Sequence, residues 1–173
     1  VYLYAGADGM YKKYMTWKAF GKYNFAGFGV NDFEINGDIA FNAYPFRRAK
    51  QSPLTLKAHF ETSLKEPDYY QQHLFTNHYK WNNNFGKIST TKVEGSVSIP
   101  RWKLDASFGY ALLNNNIYYD TLGIARQNTK PMSVMTASLR KDFNIWNIHF
   151  DNQALVQFSS DPDVIPLPLL ALN

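Results

Sequence analysis

KVEGSVSIPRWKLDASFGYALL, Lys92 to Leu113, decides how the whole chain is read. From Trp102 onward every second residue is apolar (Trp102, Leu104, Ala106, Phe108, Tyr110, Leu112). The residues between them are polar or small: Lys103, Asp105, Ser107 and Gly109. A period of two puts the first set on one side of an extended strand and the second set on the other. Before it, Val93, Gly95, Val97 and Ile99 alternate with Lys92, Glu94, Ser96 and Ser98, and Pro100–Arg101 stands between the two runs. Two amphipathic strands joined by a tight, Pro-containing connection predict a hairpin.

The same grammar extends both ways. Upstream, Val1, Leu3, Ala5 and Ala7 oppose Tyr2, Tyr4, Gly6 and Asp8. Past a connection at Gly9–Lys13, Met15, Trp17, Ala19, Gly21, Tyr23 and Phe25 oppose Thr16, Lys18, Lys22 and Asn24, with Phe20 alone out of place. After an Ala-Gly-Phe-Gly turn, Phe33, Ile35, Ile39, Phe41 and Ala43 oppose Glu34, Asn36, Asp38 and Asn42; a helix would scatter these around its circumference. Beyond Arg47–Pro53, Leu54, Leu56, Ala58, Phe60, Thr62 and Leu64 oppose Thr55, Lys57, His59, Glu61, Ser63 and Lys65. Downstream, Met135, Ala137, Leu139 and Phe143 oppose Thr136, Ser138, Arg140 and Asp142, with Lys141 out of phase as an interfacial lysine would be. A turn at Ile145–Asn147 leads into Ile148, Phe150, Ala154, Val156 and Phe158, set against His149, Asp151, Gln153 and Gln157. Pro67–Asn84 and Asn114–Pro131 lack a sustained period and read as large polar loops with strand extensions. The count is about eight strands, and Val164–Asn173 starts a ninth and breaks off within it, as expected of a piece of a longer chain.

Composition narrows the class without fixing it. The chain has 173 residues, a net charge of +4, 17% aromatic residues and no Cys, which removes any disulfide framework. Its mean hydropathy of -0.38 matches a soluble protein, but also a membrane barrel in which only alternate residues face lipid. No linker or composition shift divides the sequence, so residues 1–173 are read as one domain.

Two architectures bury an amphipathic sheet: a soluble sandwich with its polar face in water, and a transmembrane barrel with its apolar face in lipid. Alternation of short connections with long loops fits the barrel, as do Trp17, Trp102, Trp146, Phe143, Tyr11 and Tyr14 near the short turns, where an interfacial girdle belongs. The expected fold is therefore all-β, an antiparallel up-and-down transmembrane β-barrel. Its wall facing the lumen would carry Lys18, Lys22, Glu34, Asp38, Lys57, His59, Glu61, Lys92, Glu94, Lys103, Asp105, Arg140, Asp142, His149 and Asp151, interleaved in sign from strand to strand. The surface facing lipid would carry Trp17, Phe33, Ile35, Ile39, Phe41, Leu56, Phe60, Val97, Trp102, Leu104, Phe108, Trp146, Ile148 and Phe150.

These residues also carry a resemblance. AGFGVNDFEINGDIAF (Ala26–Phe41), EPDYYQQHLFTNHYKWNNNFGK (Glu66–Lys87), SIPRWKLDASFGYALLNNNIYYD (Ser98–Asp120) and VIPLPLLAL (Val164–Leu172) together resemble the putative-porin family of Bacteroidota outer membranes. The resemblance spans nearly the whole segment, as a middle portion of such a protein. It implies a bacterial outer-membrane location and additional strands that complete a larger barrel, and it transfers no functional residue.

No pattern points to catalysis or to a cofactor. His73 and His78 near Asp68 sit in a loop, where a five-residue spacing fixes no metal geometry. His59 with Glu61 and His149 with Asp151 are same-face pairs suited to acid–base work, but wall-lining ion pairs explain them more simply. The lysines are spread among acidic neighbours and form no basic stripe for nucleic acid. Tyr69, Tyr70, Tyr79, Trp81, Tyr118 and Tyr119 fit a surface that touches carbohydrate or protein, and equally one lying at lipid headgroups. The functional expectation is a passive diffusion channel for small hydrophilic solutes. The alternatives are a closed barrel that docks other outer-membrane proteins and a soluble sandwich that binds a ligand. Expected partners are outer-membrane lipid, small solutes and other outer-membrane proteins.

Overall fold

The structure, a computed structural model, describes residues 1–45, 53–146 and 148–172. The alternating runs form long strands: β1 (Tyr2–Tyr11), β2 (Met15–Asn24), β3 (Phe33–Ala43) and β4 (Leu54–Lys65). A single helical turn, α1 (Tyr69–Gln72), and a short hairpin, β5 (His73–Phe75) with β6 (Lys80–Asn82), precede β7 (Ile88–Ile99) and β8 (Leu104–Asn114). A second short hairpin, β9 (Asn116–Tyr119) with β10 (Ala125–Asn128), precedes β11 (Met132–Ile145) and β12 (Ile148–Ser159), and β13 (Leu170–Leu172) closes the series.

Nine of these strands form one sheet in the order β1-β2-β3-β4-β7-β8-β11-β12-β13, every neighbour antiparallel, with the two small hairpins outside it. This is the expected all-β meander, and β13 is the ninth strand announced by Val164–Asn173. Among the described residues the sheet is open, with β1 and β13 as its edges.

Two of the expected short connections come out differently. β1 continues through Gly9 to Tyr11, so the first turn is Lys12–Tyr14, with Lys12 left-handed at φ 51°. Pro100–Trp102 forms a 3-10 turn closed by Lys103 at φ 48°, which shifts Trp102 and Lys103 out of the strand that alternation gave them. Arg47 to Ser52 and Asn147, expected within short connections, lie outside the described residues. The two loops read as aperiodic contain α1 and the two short hairpins, whose strands of three or four residues are too short to show a period.

This sheet has almost no core. Among the described residues the buried apolar side chains are Ala125, Met132 and Pro67, while Ile39, Phe60, Phe108, Leu139 and Phe158 stay exposed in mid-strand. The surface totals 12302 Å², against roughly 8,700 Å² expected for a compact soluble chain of this mass. No second sheet covers the apolar face among the described residues, as a sandwich would require.

Candidate functional site

Register decides which side chains share a face, because residues directly opposite in a ladder point the same way. One row across the sheet reads Asp8, Lys18, Asp38, His59, Glu94, Gly109, Thr136, Gln157. The next row toward the long-loop end reads Gly6, Phe20, Asn36, Glu61, Lys92, Ala111, Val134, Ser159. Beyond it lie Tyr4, Lys22, Glu34, Ser63, Thr90, Leu113 and Met132. On the turn side, Met10, Thr16, Ala40, Lys57, Ser96, Ser107, Ser138 and Leu155 form a further row. The polar face curves around a concavity of about 560 Å³, lined by Lys18, Asp38, Lys57, His59, Glu94, Ser107 and Thr136 among others.

Charge on this face alternates in sign from strand to strand, as Asp8, Lys18, Asp38, His59 and Glu94 show, and it is also partitioned by strand, which the alternation did not announce. In the four rows above, every ionisable side chain belongs to β1, β2, β3, β4 or β7. On β8, β11 and β12 the same rows hold Ser107, Gly109, Ala111, Leu113, Met132, Val134, Thr136, Ser138, Leu155, Gln157 and Ser159. Charges return on those strands only nearer the turns, where Asp105 faces Arg140 and Asp142 faces Asp151. The wall thus has a charged panel and an uncharged panel side by side.

Most charges on the first panel are paired. His59 Nδ1 lies 2.7 Å from Asp38 Oδ1, and its Nε2 lies 3.8 Å from Glu61. Lys65 reaches Glu34 at 2.9 Å and Lys92 reaches Glu94 at 2.8 Å. Lys22 sits 4.7 Å from the Tyr2 ring centre, and Phe20, the residue that broke the alternation, packs 6.3 Å from Tyr4. Toward the turns Arg140 bridges Asp142 and Asp151, and the His149 ring is bonded to Asn144. Lys18 and Lys57 make no ion pair or side-chain hydrogen bond among the described residues.

The apolar face collects Trp17, Ile39, Ala58, Gly95, Phe108, Ala137 and Val156 in one row. Met15, Phe41, Leu56, Val97, Ala106, Leu139 and Ala154 form the next. Phe33, Ile35, Phe60, Leu104, Ile148 and Phe150 share that face by register, and Phe143 stacks on Phe150 at 5.1 Å. Lys141, out of phase in the alternation, lies on it too and sends its ammonium to the carbonyl of Trp102 at the turn end. Trp102 and Trp146 were expected on this face, but they occupy turns; Trp146 has φ 53° and is 97% exposed.

The long-loop end is tied together by side chains that alternation could not single out. Gln127 accepts from Gly86 N at 2.9 Å and donates to Gly86 O and Asn115 O, and Asn115 donates to Lys87 O. Lys87 then bonds Val30 O and the Asp32 carboxylate and lies 3.6 Å from Glu66. Trp81 donates to Tyr70 O, and its ring stands 6.4 Å from that of Tyr119. Asp120 accepts from Leu122 N and Ile124 N and pairs with Arg126, contacts that hold its carboxyl below the ordinary aspartate value, the backbone bond from Ile124 foremost.

Burial shows which way this assembly leans. At the loop end of the polar face Ser63, Met132 and Ser159 are buried, while Ile35, Leu112 and Phe158 on the other face stay exposed. The loops therefore fold over the concave side. One sequence signal could have revealed this: Leu113, Met132 and Val134 are apolar residues in polar-face positions, as needed under a cover. The remaining candidates are dispersed. His73 is bonded to Asn82, and among the described residues no three His, Cys, Asp or Glu side chains converge as a metal site needs.

A single amphipathic meander of this kind, polar and concave on one side and apolar and uncovered on the other, is the architecture of porin-like proteins. The family model described as "Putative porin" matches residues 1–173, and the chain belongs to that family. Comparison with curated proteins and with solved structures returned no match.

Proposed function

We propose that the sheet is part of a transmembrane β-barrel of the bacterial outer membrane and that its concave face lines a passive route for small hydrophilic solutes. The observation that carries this reading is the division of the two faces. Strands of 10 to 14 residues are long enough to cross a hydrocarbon layer, for which about 9 to 11 tilted residues suffice. Among the described residues their apolar face has no protein cover, and their polar face gathers the charges. Unpaired strand edges cost several kcal/mol per exposed backbone group in lipid, so β1 and β13 are joined by further strands in the complete barrel. Selection would rest on lumen width and the field of wall charges, with no covalent chemistry.

A second reading is favoured by the loop network. If the inward-leaning loops close the lumen, the barrel is a scaffold that docks other outer-membrane proteins. The test is planar-bilayer conductance of the full-length protein, purified as the band whose gel mobility shifts on heating. Steady conductance supports the pore. A heat-shifted band without conductance supports the scaffold, and a protein that stays in the aqueous phase with no heat shift returns the sandwich.

A further inference from the structure

Lys57 is the one charged side chain in its row across the described sheet. Its direct neighbours in the ladders are Ala40 and Ser96, both small and neutral. Its row continues into Thr16 on one side and into Ser107 and Ser138 on the other, whose hydroxyl oxygens are 2.8 Å apart. The nearest carboxylates, diagonal to it, are already engaged, Asp38 by His59 and Glu94 by Lys92. Lys57 and Lys18 both line the concavity of about 560 Å³ and neither makes an ion pair among the described residues, but Lys18 has Asp8 and Asp38 as its direct ladder neighbours, so Lys57 is the less neutralised of the two.

We propose that this concavity is a binding subsite for the oxyanion group of a small solute, a carboxylate or a phosphate, with Lys57 as its principal contact and Lys18 as the second charge. An unneutralised ammonium beside hydroxyl donors matches such a group, because charge-assisted N–H···O bonds supply attraction and Ser or Thr hydroxyls complete the oxygen shell. A cation is disfavoured, since the carboxylates that line this concavity, Asp38 and Glu94, are engaged by His59 and Lys92. The inference rests on the concave wall being water-filled, as in the reading above, and it gives that wall a preferred solute class.

The test is calorimetric titration of inorganic phosphate, and separately of citrate, into the folded full-length protein in detergent, comparing wild type with Lys57→Gln, Lys57→Arg and the loop control Lys130→Gln. Lys57→Gln should weaken both anions roughly tenfold, the loss of one charge-assisted contact, while Lys57→Arg and Lys130→Gln bind like wild type. Binding of phosphate alone identifies a phosphate site, and binding of citrate alone a carboxylate site. No binding of either anion, or equal binding by wild type and Lys57→Gln, overturns the proposal. Conductance on the same preparations keeps the two readings apart. Lys57-dependent binding without conductance leaves the site standing and removes the open pore, and conductance without Lys57-dependent binding does the reverse.

Discussion

Gly9 and Trp17 face each other across the β1–β2 ladder, and the indole occupies the space that a side chain at Gly9 would need: a Cβ there would lie 2.5 Å from Trp17 Nε1. An aromatic ring laid over a glycine shields the bare backbone of an outer strand. Gly9→Ala should push the indole away and cost about 1 to 3 kcal/mol, the usual penalty of overpacking. Urea midpoints of the full-length protein refolded into bilayers measure it. In the Trp17→Leu background the same substitution should cost measurably less, because the two residues are coupled; equal costs would mean the ring does not lie there.

Gln127 makes hydrogen bonds to Gly86 and Asn115 that span two loops. Gln127→Ala should loosen residues 83–87 and 115–131 by about 1 to 3 kcal/mol of local stability, the cost of leaving such groups unpaired. Amide exchange would speed up in those loops and stay unchanged in β7 and β8. A uniform change across the sheet would contradict a local latch.

Asp120 gives the same loop an acid limit. Its carboxyl titrates below the ordinary aspartate value in the folded loop because Ile124 N, Arg126 and Leu122 N all favour the charged form. A depressed folded value means the contribution is fully present above the unfolded pKa of about 3.9 and is lost as pH falls through the lower folded value. Loop protection in wild type should therefore be flat from neutrality to about pH 5 and decline below about pH 4. Asp120→Asn should flatten that decline, as read by limited proteolysis with an acid-active protease.

The period of two made the long strands legible, because one error in phase would move every side chain of a strand to the wrong face. Trp102 and Lys103 were misplaced for a physical reason: the 3-10 turn at Pro100 consumes residues that the alternation counted as strand. The partition of charge was hidden because it depends on register across the sheet, which places Ser107 beside Ser138 and Gly109 beside Thr136 although each strand alone looks ordinarily polar. The loop latch was hidden for another reason. Gln127, Asn115 and Lys87 meet through single hydrogen bonds between distant segments, and no local pattern encodes such meetings.

Phe108 and Ser107 are adjacent in β8 and point to opposite faces, the first 55% exposed on the apolar side. Phe108→Arg should cost about 2 to 4 kcal/mol if the residue sits near the bilayer midplane. Ser107→Arg should leave the folding midpoint unchanged and lower conductance by narrowing the wall. Equal damage from both substitutions would contradict the division of faces.

The most direct test of the central claim uses the same two positions and the absence of cysteine from this chain. Ser107→Cys and Phe108→Cys would each be made in the full-length protein and probed in intact membranes with a membrane-impermeant thiol reagent and with a lipid-phase one. The account predicts that Ser107→Cys reacts from water and Phe108→Cys only from lipid. Water-phase labelling of both, or the reverse pattern, would contradict a sheet with one face in lipid and the other in water.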